Sequence, residues 1–232
     1  MTKIETGGTS MENKNQTAPV WLEEALRAGP PAAGTAGEEA AALADLRSAA
    51  ARLTERIGAE GLADVSYTRA ESPFGELLLA TTKRGLVRVA FPEEHVDAVL
   101  ERLALKLSPR IVEARAPLED ARRELDEYFG GRRREFELPL DWTLVSPFGR
   151  RVLRYTARIP YGGVGSYHEA AAAAGSPRGS RAAGNALGAN PIPIVVPCHR
   201  VLRSGGALGG YGGGLDRKRW LLGLEGALPR EL

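Results

Sequence analysis

Cysteine is nearly absent from this chain: Cys198 is the only one in 232 residues. A single thiol can close no internal disulfide and leaves no cysteine-based zinc site. No run of roughly 18 apolar residues occurs, which argues against a membrane span. The opening stretch MTKIETGGTSMENKNQTAP is polar and lacks the apolar segment of a secretory signal. Together these absences point to a reducing, cytoplasmic location. Acids are scarce in the second half. From Ser146 onward there are 12 Arg and Lys against four acids, namely Glu169, Asp216, Glu225 and Glu231. The whole chain carries a net charge of only +2, so the residues before Ser146 are acidic on balance. A basic half on a nearly neutral protein suits a polyanionic partner such as nucleic acid. An arginine-rich solvated surface would give the same count.

The residues present divide the chain into three parts. Residues 1–62 read as a polar leader, with a short apolar stretch VWLEEAL, followed by an Ala-rich helix over 38–58 that ends at Gly58. That helix carries no evident chemistry. Residues 63–142 read as a small α+β domain. The stretch DVSYTRAESPFGELLLATTKRGLVRVAF alternates and is broken by SPFG and KRG, which predicts three short antiparallel strands. Residues 94–107 and 117–129 have helical periodicity. His95, at a helix start, reads as a surface residue. A Gly-opened, Pro-containing connector leads to a boundary near 142–146. Residues 146–226 then read as a mostly helical domain: a helix over 147–158, a second opening at SYHEAAAAA, a Gly175-Ser-Pro turn, and a third ending near Gly188. Two helices joined by a short turn form the helix-turn-helix pattern, which many helix hairpins share. The helix after the turn has Arg178 and Arg181 among small residues, so it can approach another surface closely.

Cys198 lies in NPIPIVVPCHRV. A free cysteine is most often a small buried hydrophobe, but this one is followed at once by His199 and Arg200, with Arg203 nearby. A reactive thiolate needs such a base or positive charge. In extended backbone, neighbouring side chains point to opposite faces. Cys198 and His199 then meet only if the chain bends sharply or a water bridges them. The histidine also needs an acid to hold its tautomer. Glu225 closes the apolar helix GLDRKRWLLGLEG and can face inward, whereas Asp216 sits at the helix start, where an acid suits the dipole. The Gly-rich SGGALGGYGGGLDRKRW is not followed by the GK[ST] of a nucleotide-binding loop. It reads as backbone presented to an anion or carbonyl, or as a flexible loop anchored by Tyr211.

These segments resemble the 6-O-methylguanine-DNA methyltransferase family, whose members act on methylated DNA. The carriers of the likeness are IPYGGVGSY, GSPRGSRAAGNALGANPIPIVVPCHRV and GGYGGGLDRKRWLLGLEG, together with SPFGELLLATTKRGLVRVAF and LDEYFGGRRREFELPLD nearer the N-terminus. The likeness covers roughly residues 64–226 and leaves the first 60 outside. It implies an α+β fold, with a small N-terminal domain followed by a mostly helical one. It also implies irreversible, single-turnover transfer of an alkyl group from 6-O-alkylguanine to Cys198, and leaves 4-O-alkylthymine open as a substrate. In that reading His199 and Glu225 form a relay through water, which Asn190 helps to order. Tyr167 donates a proton or hydrogen bond to the departing guanine. Arg181 fills the gap left by the extruded nucleotide, and Arg200 joins the substrate and DNA contacts. Pro193 lines the alkyl end of a pocket closed by Tyr211, Gly212 and Gly213. The implied partner is double-stranded DNA carrying alkylated bases, with no membrane, no cofactor and no obligate protein partner. Some relatives hold zinc in the N-terminal domain; here only His95 and acids are available, so no metal is expected. The family helix after PFG usually has a tryptophan where this chain has Leu153, a difference of packing. Two other readings compete: a non-catalytic lesion-binding protein and a Cys-His hydrolase, for which no signature surrounds Cys198.

Overall fold

The computed structural model describes residues 36–228, so the polar leader and its VWLEEAL stretch lie outside the described residues. The chain falls into two units, Met1–Arg47 and Ser48–Leu232. Helix α1, Ala36–Ala59, covers all the described residues of the first unit. The second unit holds the rest.

The first strands follow the alternation read from sequence. β1 (Val65–Ala70), β2 (Leu77–Thr82) and β3 (Gly85–Ala90) pair as consecutive antiparallel neighbours. Helix α2 (Val96–Lys106) then leads to a fourth strand, β4 (Ile111–Glu113), which pairs with β1 in parallel. The predicted three-stranded antiparallel sheet is therefore one strand larger, in the order β3-β2-β1-β4. Period-2 side chains give the sheet two buried faces. Leu78 and Ala80 pack with Val99 and Leu103 of α2. Leu77 and Leu79 face helix α3 (Glu119–Phe129), where Leu125 and Tyr128 are buried. Between Thr81↔Leu86 and Ala80↔Arg88 the register shifts by one residue, a bulge that rephases β3. The outer edge of β3 does not stay open: Leu86 N donates to Pro139 O (2.8 Å), Asp141 N to Leu86 O (2.9 Å) and Val89 N to Pro191 O (2.9 Å).

After the connector come α4 (Pro147–Thr156), the two-residue β5 (Gly165–Ser166), α5 (Tyr167–Ala173) and α6 (Ser180–Gly188). The starts are written in the sequence. Ser146 caps α4 ahead of Pro147, and Ser166 with Glu169 forms a capping box on α5. A 3₁₀ turn (Cys198–Arg200), the short β6 (Val201–Leu202) paired in parallel with β5, and α7 (Leu215–Leu224) are the last elements among the described residues. One continuous core joins Leu77, Leu79 and Leu125 to Leu153, Ala183, Ile192 and Leu221. Residues on the two sides of the 142–146 connector thus share one interior. Leu153 is fully buried within it.

Candidate active site

The segment before the cysteine is not a strand. Residues 190–200 are all buried, and their backbone turns back on itself. Val196 N donates to Ile192 O at 2.9 Å and Cys198 N to Val196 O at 2.8 Å, while Ile194 has φ 75°, a strained value for a β-branched residue. Valines and prolines gave this loop the look of an extended segment. Its tight turns aim Cys198 into a cleft of about 140 Å³. A 3₁₀ turn starts at Cys198, and among the described residues no hydrogen bond joins its sulfur to His199.

Asn190 holds this loop by both ends of its amide. Its Oδ1 accepts from Ile192 N at 3.0 Å, and its Nδ2 donates to Val196 O at 2.9 Å and to Cys198 Sγ at 3.1 Å. His199 lies wholly inside the protein and its Nε2 meets Glu225 Oε1 at 2.9 Å. Its Nδ1 has no hydrogen-bond partner within the protein. Glu225 stands at the C-terminal cap of α7. The other candidate acids are engaged elsewhere: Glu169 caps α5, Asp216 is exposed in the first turn of α7, and Glu231 lies outside the described residues.

The titration balance follows from burial and partners. Burial pushes the Cys198 thiol up to about 11, against the opposing pulls of the Asn190 hydrogen bond and the Lys218 charge. The resting sulfur is therefore a thiol, not the ionised group expected from its basic neighbours. Burial also lowers His199, more than Glu225 raises it, so the imidazole is neutral and free to accept a proton. Burial alone would raise Glu225, but hydrogen bonds from His199 and Arg200 win and hold it at about 2. With Glu225 ionised, Nε2 of His199 carries the hydrogen and Nδ1 presents a lone pair.

Arg200 corrects an expectation. It is buried, not presented to DNA or substrate: Nε donates to Glu225 Oε2 at 2.8 Å, Nη2 to Oε1 at 2.9 Å, and Nη1 bonds Ile159 O. Its charge is spent on the carboxylate, and the cation that acts on the thiol is Lys218. This residue is fully buried, and its Nζ donates to Val201 O at 2.6 Å. Positions 218, 221, 222 and 225 share one helical face, so inward-facing Lys218 was readable from the apolar pattern of α7. Burial lowers its pKa to about 8, opposed by Cys198. The folded value lies below the unfolded one of 10.5, so the buried charge costs stability below pH 8, and the cost fades as pH rises from 8 to 10.5. Lys218→Met is expected to gain about 1–3 kcal/mol at neutral pH and to lose that advantage near the upper end of this window, as read by urea unfolding at both ends.

Six of the expected residues line the cleft together: Cys198, Asn190, Pro193, Tyr211, Gly212 and Gly213. Tyr211 places its half-buried ring there, edge-on to Phe91 (6.2 Å) and His199 (6.4 Å). A Cβ on Gly213 would come within 2.6 Å of Phe91, so the loop can pass only as glycine. Phe91, Arg88 and Glu94 form a wall that sequence reading missed, contributed by the end of β3 and the turn after it. Tyr167, first residue of α5, donates from its hydroxyl to Gly210 O at 3.2 Å. A Cβ on Gly209 would sit 2.2 Å from the Tyr167 hydroxyl oxygen. Arg181 is exposed on α6, and among the described residues it makes no hydrogen bond or ion pair. Among the described residues no group of three or more His, Cys, Asp or Glu could hold a metal ion, and no helix is long and apolar enough to cross a membrane.

Fold and site define a class of α+β proteins with a helix-turn-helix and a single buried thiol, next to which in sequence stands a buried histidine paired with a glutamate. The comparisons agree. Residues 147–227 match the family model for the 6-O-methylguanine DNA methyltransferase DNA binding domain, and residues 65–142 that for the ribonuclease-like domain of the same family. The constitutive methylated-DNA–protein-cysteine methyltransferase of Bacillus subtilis is 40% identical over 163 residues, covering 68% of this chain and 94% of that protein. That of Mycolicibacterium paratuberculosis is 42% identical over 161 residues, covering 69% and 92%. The crystal structure of Mycobacterium tuberculosis OGT in complex with DNA superposes with a TM-score of 0.60 at 37% identity, covering 70% of this chain and 93% of that one. The chain belongs to the 6-O-methylguanine DNA methyltransferase family.

Proposed function

We propose that this protein reverses alkylation damage in DNA by moving the alkyl group of 6-O-alkylguanine, in a duplex, onto Cys198, once per molecule. The observation that carries this reading is a thiol opening on a small cleft, with a neutral imidazole behind it whose Nε2 is tied to a carboxylate and whose Nδ1 is unengaged. A water between Sγ and Nδ1 completes the relay. The thiol proton passes through it to His199, and the imidazolium that forms is stabilised by Glu225. The thiolate, supported by Asn190 and Lys218, attacks the alkyl carbon. The S–C bond forms as the C–O6 bond breaks, and the electron pair leaves with the purine. Tyr167 hands the purine a proton, and the proton held at His199 replaces it. The net change is a thioether at Cys198 and a neutral guanine, so the step balances without a cofactor.

The target base is stacked inside the duplex and must be flipped out, at a cost of a few kcal/mol that is least for a badly paired base. Arg181, exposed on a helix of small residues, suits insertion into the gap, and the helix suits the minor groove. The dependence on a free thiol favours a reducing compartment such as the cytoplasm.

The test is to incubate the protein with a duplex carrying one 6-O-methylguanine and to map the Cys198 peptide by mass. The expected result is one added methyl on that peptide, at most one per protein. An unmodified Cys198 in a protein that still binds the lesion would favour a damage-binding protein, and repeated turnover would favour a hydrolase. In the same assay Arg181→Ala is expected to slow repair in duplex roughly 10-fold while leaving transfer from the free alkylated base unchanged. Equal losses on both would remove Arg181 from the flipping role.

A further inference from the structure

The Glu225 carboxylate has a partner that comes from outside the C-terminal helices. Tyr128, on α3, is fully buried, and its hydroxyl donates to Glu225 Oε1 at 2.6 Å across 97 residues of sequence. Oε1 thus accepts from three donors: Tyr128 Oη, His199 Nε2 at 2.9 Å and Arg200 Nη2 at 2.9 Å. We infer that Tyr128 is a positioning residue for alkyl transfer: its hydroxyl holds the Glu225 oxygen that sets the tautomer of His199. This rests on the relay proposed above.

Three observations support a role beyond filling space. First, charge balance does not need Tyr128. Arg200 alone neutralises the carboxylate with two hydrogen bonds, to Oε2 and Oε1. What the phenol adds is direction, since Oε1 is the oxygen shared with the imidazole. Second, the roles are forced. An ionised carboxylate only accepts, and burial next to Glu225 raises the phenol far above its ordinary value, so Tyr128 is always the donor. Third, the ring is held from several sides. Phe129, Phe136 and Tyr161 lie 5.5, 5.2 and 6.2 Å from it, and Tyr161 donates to Leu224 O at 2.9 Å, one residue before Glu225. The α+β half therefore supplies part of the relay and does more than cover the helical half.

Tyr128→Phe in the full chain keeps the ring and removes only the hydroxyl. The rate constant for single-turnover transfer from a duplex carrying 6-O-methylguanine is expected to fall about tenfold, with duplex affinity unchanged. Nitrogen-15 NMR of His199 is expected to change from one proton fixed on Nε2 to exchange between the two ring nitrogens. Phe136→Leu serves as the packing control: it loosens the same ring cluster but should keep both the rate and the His199 spectrum. A wild-type rate or an unchanged His199 spectrum in Tyr128→Phe would overturn the inference, as would equal changes in Phe136→Leu. In the wild-type chain the Tyr128 hydroxyl proton should exchange slowly and shift in Glu225→Gln. A rapidly exchanging hydroxyl overturns the inference even if Tyr128→Phe does not fold. If the wild type itself transfers no methyl, the relay reading fails, and the His199 spectra still decide what Tyr128 does to the imidazole.

Discussion

Cys198→Ala binds a duplex carrying 6-O-methylguanine and removes none of its methyl: this is the expected result with the largest effect. Displacement at carbon needs a nucleophile in line, and Sγ is the only thiol in the chain. The hydroxyl of Tyr211, another residue of the cleft, is buried, and burial raises its pKa well above the ordinary phenol value. It cannot ionise to take over. The contacts expected to meet DNA, Arg181 and the small residues of α6, are untouched by the change, so affinity survives. The fold should survive as well. The sulfur is a small buried group whose one side-chain hydrogen bond is from Asn190, and removing a group of that size costs about 1 kcal/mol. Gel-shift affinity and mass analysis of protein and DNA together check the result. Any methyl appearing on the alanine variant would remove Cys198 from the role of acceptor.

The second large effect falls on Glu225. Glu225→Gln should slow transfer roughly 10²–10⁴-fold and destabilise the protein by about 3–5 kcal/mol. Three donors converge on the carboxylate, and a glutamine amide offers one acceptor and turns a donor toward the others. Arg200 is then left as a buried charge without a counter-charge, which is the costly half of a broken interior ion pair. The pH dependence identifies the carboxylate. Its folded pKa of about 2 lies below the ordinary 4.5, so its contribution is present above pH 4.5 and lost as pH falls toward 2. Between those limits the stability of the wild type should fall toward that of the glutamine variant, as measured by urea unfolding along an acid series. A variant that transfers at the wild-type rate would show that the imidazole needs no carboxylate behind it.

Local patterns in the chain announced much of this site. Cys198 and His199 stood out by rarity and adjacency, and Glu225 by closing an apolar helix. Lys218 is legible in the same helical face, although DRKRW holds other basic residues that are not fully buried. The environment of Arg200 was not legible, because adjacency in sequence suggested a charge beside the thiol while the 3₁₀ turn sends the guanidinium to Glu225. The strand-like look of PIPIVV came from β-branched residues and prolines, and the positive φ of Ile194 has no signature in a β-branched residue. β4 was missed because three residues after a proline are too short to show alternation. Tyr128 and Arg88 lay beyond reach for another reason. Both belong to ordinary amphipathic or alternating segments, and only the shared core brings them to the cysteine loop.

The sealing of β3 has a consequence for the molecule's behaviour in a crowded solution. A sheet rim with free amides and carbonyls is a template on which another chain can add a strand. Here that rim is already occupied by the connector at Pro139–Asp141 and by Pro191 of the cysteine loop. The Val89–Pro191 bond, which ties the reactive loop to the sheet, thus also helps deny stray polypeptide a place to start stacking.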